Sequence, residues 1–331
     1  MDNFIAIILA AGKGTRMKSH IPKVLHPLNG KPMLDYVFDF VEQLNFTEKI
    51  IVTGDGHEMV ENLVGERGKC VLQREQRGTG HAVLQGWDYF AKLSGHVMVL
   101  YGDTPLLTVS ILRNFIEDYI HSGDDISILT TNLDESSHYG RIIRDKDRIL
   151  SIVEYRDASC DEKKITEVNT GTYCFRTEVL RRFLPELNSE NDQGELYLTD
   201  VIGMAVKDGL RVRGFFTRDW QATMGINNRV ELALASRILR YRRLEELMMS
   251  GVTIIDPDNT YIEPYVNIEK DTVVYPFTSL EGKTIIGENC IIGSFSKIKN
   301  SILGKNVVLE NSVIINQIIK EGTVIKSFSF N

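Results

Sequence analysis

Residues 4–16 read Phe4-Ile5-Ala6-Ile7-Ile8-Leu9-Ala10-Ala11-Gly12-Lys13-Gly14-Thr15-Arg16, and Pro22-Lys23 follows after five more residues. The apolar half does not alternate with polar residues, as suits a strand buried on both faces of a sheet. An acidic Met1-Asp2-Asn3 precedes it rather than a basic segment, so it reads as a strand and not as a signal peptide. The two glycines let the backbone turn tightly, so that bare N–H groups can face a polyphosphate. Lys13, Arg16 and Lys23 add positive charge where departing phosphates would gather negative charge. The loop is not a Walker A motif, since the chain has no G-x-x-x-x-G-K-[ST], and Met17 replaces the third glycine of a dinucleotide fingerprint. A plain strand-to-helix connection is the alternative, and three cations within eleven residues of the turn weigh against it.

Outward from this stretch, short apolar runs alternate with helical patterns. Strands are expected at Phe4–Leu9, Ile50–Thr53, Val97–Tyr101 and Ile126–Thr131. Helices are expected from Pro32, with Leu34, Val37, Phe38, Val41 and Leu44 on one face, and over Thr79–Leu93, Val109–Ile120 and Glu231–Met249. Such alternation implies a mainly parallel sheet, whose ligands sit at the carboxyl ends of the strands. Asp103, in Tyr101-Gly102-Asp103 after the most apolar strand, falls at such an end. It can hold a divalent cation through oxygen, or it can simply cap the next helix.

Beyond residue 260 the pattern changes. Ile262, Ile268, Val274, Leu280, Ile286, Ile292 and Ile298 recur every six positions, and after one five-residue step the series resumes as Leu303, Leu309 and Ile315. A six-residue period puts each aliphatic at the same inward place of a triangular coil, which predicts a parallel β-helix of three to four coils between Ile262 and Ile325. An antiparallel sheet would show period two instead. The expected domains are 1–228, a linker helix over 229–250, and a short β-helix over 251–331.

The 331 residues carry 43% hydrophobic and 25% charged side chains and a net charge of −7, which excludes disorder and disfavours nucleic acid or anionic membrane as partners. No apolar run reaches the ~18–20 residues of a membrane span. Cys70, Cys160, Cys174 and Cys290 form no C-x-x-C pair and are expected as reduced thiols of a cytoplasmic protein. The seven histidines show no H-x-x-x-H spacing and none lies beyond His138, so a zinc site is not expected. Arg237, Arg240, Arg242 and Arg243 precede Glu245 and Glu246 at helical spacing and read as a solvated face.

Eight stretches, in order, resemble the bacterial UDP-N-acetylglucosamine pyrophosphorylases, the uridyltransferase half of bifunctional uridyltransferase/acetyltransferases. They are 9–17 with 22–26, 73–82, 101–106, 139–142, 152–158, 167–171, 194–200 and 225–229. The resemblance covers residues 4 to about 250 closely and the hexads more loosely. It implies a Rossmann-like α/β nucleotidyltransferase domain followed by a short left-handed parallel β-helix. It also implies uridylyl transfer from UTP to N-acetylglucosamine 1-phosphate with Mg²⁺, serving peptidoglycan synthesis, and a homotrimer formed through the β-helix. Carried over by position, Leu9, Ala10, Ala11, Gly12, Lys13, Tyr101 and Gly102 contact the nucleotide, and Gln73, Gly78 and Thr79 recognise uracil. Arg16, Lys23 and Asp103 are catalytic, Gly140, Glu154 and Asn169 hold the sugar, and Asp103 with Asn227 ligates the metal.

The resemblance departs in three places. Leu196 stands where an aromatic is expected, and Ala222-Thr223-Met224 where an acid is expected. Members with the second activity carry many more coils, and residues 250–331 contain no histidine to act as an acyltransfer base, so acetyl transfer is not expected. Two alternatives stay open: the same chemistry on another sugar 1-phosphate, and a non-catalytic scaffold subunit. The second should have lost Arg16, Lys23 or Asp103, and all three are present.

Overall fold

The structure, a computed structural model, describes residues 3–133 and 139–327. The end of the chain, Phe328–Asn331, included above in the β-helix, lies outside the described residues. The chain forms two compact units, Met1–His26 with Met33–Asn228 and Pro27–Pro32 with Arg229–Asn331. No described helix is long and apolar enough to cross a membrane.

The first unit starts with β1 (Phe4–Ala10), every residue of which is buried. After the hairpin β2 (Pro27–Leu28) and β3 (Lys31–Pro32), which belongs to the second unit, come α1 (Met33–Gln43), β4 (Glu48–Thr53), α2 (His57–Val64) and β5 (Lys69–Leu72). Then follow α3 (Thr79–Leu84), α4 (Trp87–Phe90), β6 (His96–Tyr101), α5 (Val109–Ser122) and β7 (Ile126–Asn132). The remainder is β8 (Arg141–Asp145), β9 (Arg148–Val153), β10 (Glu167–Arg176), α6 (Thr177–Phe183), α7 (Asp200–Lys207) and β11 (Val212–Phe216).

The sheet runs β11-β7-β10-β6-β1-β4-β5, with the β8–β9 hairpin attached to β10. The pairings of β1 with β4 and β6, of β4 with β5 and of β11 with β7 are parallel, while β10 is antiparallel to both β6 and β7. The mainly parallel sheet expected from the alternation is therefore crossed by one reversed strand. One face packs on α1, α2 and α5 through Val37, Val60 and Leu112; the other packs on α3, α4, α6 and α7 through Val83, Phe90, Leu180 and Val201. Each such buried side chain contributes about 1.5–3 kcal/mol of transfer free energy. The single helix expected over Thr79–Leu93 is two short ones, interrupted at Gln85-Gly86. The Pro32 helix begins one residue later, because Lys31–Pro32 completes the hairpin.

In the second unit α8 (Arg229–Met249) leads into thirteen described strands, β12 (Thr253–Ile254) and β13 (Tyr261–Ile262) through β24 (Val324–Ile325). They stack in parallel as three sheets, β12-β15-β18-β21-β24, β13-β16-β19-β22 and β14-β17-β20-β23, the faces of a left-handed β-helix. In Ile291–Ile292, as in most of these strands, the first residue faces out and the second is buried. The inward columns are Ile254-Val274-Ile292-Leu309-Ile325, Ile262-Leu280-Ile298-Ile314 and Ile268-Ile286-Leu303-Ile319.

The expected inward Ile315 is 43% exposed and Ile314 takes its place. Ile298 pairs with Ile314 in register, because the coil shortens there from eighteen residues to sixteen. Phe277 and Phe295 occupy left-handed corners of successive coils at φ 59° and 61°, with exposed rings stacked 5.1 Å apart. In the hairpin Pro27–Pro32 Leu28 is buried, and Asn29 donates to the Ser236 carbonyl of α8 at 3.0 Å. The four cysteines form no disulfide.

Candidate active site

At the carboxyl ends of β1, β5 and β6 lies a cleft of about 450 Å³. Its walls include Leu9–Lys13 from the end of β1 and the loop after it, Lys23, Gln73 and Gly78 from the segment between β5 and α3, and Thr79 at the start of α3. Gly14 turns the loop at φ 59°, and a Cβ there would lie 2.8 Å from that of Lys23, so glycine brings the loop and the lysine together. Gly78, at φ 104°, packs against the Leu196 backbone, where a Cβ would meet atoms at 2.6 and 2.8 Å. Leu196 is stitched to this segment by backbone bonds, its N–H to the Arg77 carbonyl and its own carbonyl to the Gly80 N–H. The missing aromatic at 196 leaves those contacts intact.

A smaller chamber of about 200 Å³ adjoins the cleft, and Tyr101, Asp103 and Asn227 line both. Its wall also includes Arg16, Tyr139, Gly140, Glu154, Asn169 and Gly225. Asn169 reaches it because β10 shifts register between Asn169 and Tyr173. There the Asn169 amide donates to the Tyr173 hydroxyl at 2.6 Å, and its Oδ1 accepts the Gly171 N–H at 3.0 Å. The Asn169 N–H donates to the Gly140 carbonyl at 2.9 Å, joining two of the expected sugar contacts. Glu154 accepts the Thr199 hydroxyl at 3.0 Å. Burial raises its carboxyl pKa, the charges of Asp157, Asp200 and Glu195 add to this, and the Thr199 bond partly offsets it.

Where cleft and chamber meet, the Lys23 ammonium donates to Asp103 and, at 3.1 Å, to the Asn227 Oδ1. The Lys23 and Asp103 side chains are each only 13% exposed, so the pair is largely shielded from solvent. The Asp103 carbonyl accepts the Ile226 N–H at 2.9 Å, which ties the segment carrying Asn227 to the end of β6. One carboxylate and one amide oxygen thus converge on a single cation. That all-oxygen set fits Mg²⁺, which takes few protein ligands and completes its shell with phosphate oxygens and water. No cluster of three or more His, Cys, Asp or Glu forms a separate metal cage among the described residues.

The structure thus gathers the expected residues around two connected cavities, with two qualifications. Gly102 is buried and donates its N–H to the Leu9 carbonyl at 2.9 Å, behind the cleft surface rather than on it. Arg16 is exposed and lines the chamber, whereas Lys13 and Lys23 line the cleft. Ala222 and Thr223 are buried in a short turn whose start Asp219 holds by accepting the Ala222 N–H at 3.0 Å. No acid at 222–224 is aimed at the site.

Gln76, Glu195, Tyr139 and Thr199 also line or support the cavities and were not among the expected site residues. Gln76 donates to the Ala11 carbonyl at 2.8 Å, across 65 positions. All four lie inside the stretches quoted above, the only signal that could have found them.

Residues 6–193 match the family of MobA-like NTP transferase domains, and residues 265–300 match the bacterial transferase hexapeptide repeats. The chain is 46% identical over 306 residues to a bifunctional protein GlmU of Enterococcus faecalis, covering 92% of this chain and 67% of that one. It is 45% identical over 305 residues to the GlmU of Halalkalibacterium halodurans, with the same coverage. With the GlmU of Geobacillus thermodenitrificans it shares 45% over 300 residues, 90% of this chain and 65% of that. The chain spans about two thirds of the length of these relatives. Among solved structures, a Bacillus anthracis protein assigned as a glucose-1-phosphate thymidylyltransferase, with bound sucrose, superposes with a TM-score of 0.58. It is 21% identical, the match covers 71% of this chain and 94% of that one, and the likeness is one of fold. With an NTP transferase domain, hexapeptide repeats and these relatives, the chain belongs to the GlmU family.

Proposed function

We propose that this chain transfers the uridylyl group of UTP to N-acetylglucosamine 1-phosphate, releasing pyrophosphate. The observation that carries the reading is the junction of Lys23, Asp103 and Asn227 between a nucleotide-sized cleft and a second, polar chamber. A sugar phosphate has a second pKa near ~6 and is mostly dianionic at pH 7, so it needs no general base. One of its oxygens attacks the α-phosphorus of UTP, and the bond to the β-phosphate oxygen breaks as pyrophosphate leaves. The difficulty is charge repulsion, so positioning and neutralisation carry the catalysis. Lys23 and Lys13 line the cleft that would hold the triphosphate, and Arg16 lines the chamber. Asp103 and Asn227 would hold Mg²⁺, which supplies charge neutralisation between the two phosphates. Gly140, Glu154 and Asn169 would orient the sugar, and Gln73, Gly78 and Thr79 the base.

Pyrophosphate release with UTP and Mg²⁺ should be selective for N-acetylglucosamine 1-phosphate over N-acetylgalactosamine and glucose 1-phosphates. Preference for another sugar would replace the substrate, and no release with any of them from folded protein would favour the scaffold. We assign no acetyl transfer to residues 250–331, which hold no histidine; release of coenzyme A from acetyl-coenzyme A would overturn this. The outward column Ile285, Ile302 and Ile318, exposed by 42%, 44% and 76%, supports self-association of the β-helix, in keeping with a homotrimer. A monomer in equilibrium sedimentation at micromolar concentration would count against it.

A further inference from the structure

Behind the wall of the nucleotide cleft sits a histidine that the proposed reaction does not use. Gln73 is 3% exposed, and its side-chain amide nitrogen makes two contacts, to the Gly78 carbonyl at 3.1 Å and to His81 Nδ1 at 3.0 Å. An amide nitrogen has two hydrogens, and both are taken. What Gln73 retains for the cleft it lines is its oxygen, an acceptor only.

The Gly78 carbonyl cannot donate, so it fixes which end of the amide faces inward. His81 reinforces that orientation only if Nδ1 accepts, which places the ring proton on Nε2. The Glu75 backbone carbonyl offers an acceptor to the ring. Gln85 donates to the His81 backbone carbonyl at 3.0 Å, and its amide nitrogen lies 3.3 Å from Nε2, farther than the 3.0 Å between Gln73 and Nδ1. Burial and the charge of Arg77 lower the His81 pKa, which keeps the ring neutral and the acceptor available.

We propose that His81 is a positioning residue for base selection: by accepting from Gln73 it holds the Gln73 oxygen toward the cleft. That group favours a base whose ring edge donates a hydrogen and disfavours one whose edge accepts. Uracil carries N3–H at this edge, whereas cytosine carries an unprotonated N3. The inference rests on the uridylyl-transfer reading and deepens it, by adding a residue outside the cleft that sets the choice between UTP and CTP. With His81 removed, only the Gly78 carbonyl opposes rotation of the amide, and a rotated Gln73 would offer N–H groups that suit cytosine.

The test compares UTP with CTP in wild type, His81→Phe, which keeps a ring but no acceptor, and His81→Asn, whose side-chain oxygen can accept near the Nδ1 position. Both kcat/KM and equilibrium binding of the two nucleotides are measured. His81→Phe should lower the UTP-to-CTP preference about tenfold, the worth of one lost hydrogen bond, with the KM for sugar phosphate unchanged. His81→Asn should restore most of it. Should Phe not pack, His81→Ala takes its place.

An unchanged nucleotide preference in a folded His81→Phe or His81→Ala variant overturns the inference while leaving uridylyl transfer standing. A wild type that binds UTP no better than CTP overturns it as well. Wild type that discriminates between the bases in binding yet releases no pyrophosphate would sink the reaction and not the base selection, which the binding series would still decide.

Discussion

In the first unit, the side chains lining the two cavities come from loops, strand ends and one register shift, drawn from segments as far apart as Leu9 and Asn227. In the second, each coil repeats the last, and each strand turns one aliphatic into a common core. Chemistry and regularity are thus separated along the chain. The first unit accepts a shielded Lys23–Asp103 pair and a desolvated Glu154 where a purely structural protein would place apolar groups. Change in the first unit should therefore register as rate, and change in the second as stability.

The contrast is tested most severely at the junction of the cavities. Asp103→Ala should lower turnover at least about a hundredfold in protein that remains folded, with a lower thermal midpoint because Lys23 loses its shielded partner, read by pyrophosphate release and calorimetry. Near-normal turnover would remove Asp103 from the reaction. Next in size, Ile298→Ala empties part of the β-helix core, where the side chain is fully buried. It should cost about 2–5 kcal/mol in that unit and leave kcat unchanged. A large fall in kcat with the β-helix still folded would break the separation.

The smallest effect is expected at Glu154. Its native carboxyl pKa lies above the usual range, so its contribution to stability is fully present below the unfolded value and is lost as pH rises through the folded value. Glu154→Gln removes that loss. The variant should melt higher than wild type at pH 8, by on the order of 2 °C, and show little gain at pH 4. It should also raise the KM for sugar phosphate. A variant less stable than wild type at pH 8 would mean that the Thr199 bond outweighs the burial.

The legibility of the sequence follows the same division. Hexads are readable because period six maps directly onto an inward side chain, and the misreading at Ile315 arose where the coil shortens and the period slips. Strand β10 was harder to see, because Glu167-Val168-Asn169-Thr170-Gly171 carries turn residues inside a strand. Those residues form the register shift that delivers Asn169 to the chamber, so the feature that hides the strand also makes the site. The loop after β1 was visible in its glycines and lysines, and it lines the cleft. The Gln76 contact with Ala11 and the Thr199 contact with Glu154 were not, since tertiary juxtaposition leaves no local period.

The excursion of Pro27–Pro32 into the second unit bears on how the chain is made. Leu28 and Lys31, both nearly fully buried in the finished structure, are synthesised about two hundred residues before α8. At a typical ~5–20 residues per second the hairpin waits on the order of 10–40 s for its partner. A ribosome-bound chain stalled near residue 228 should accordingly be open to protease at 27–32, and become protected there once α8 and the first coil have emerged.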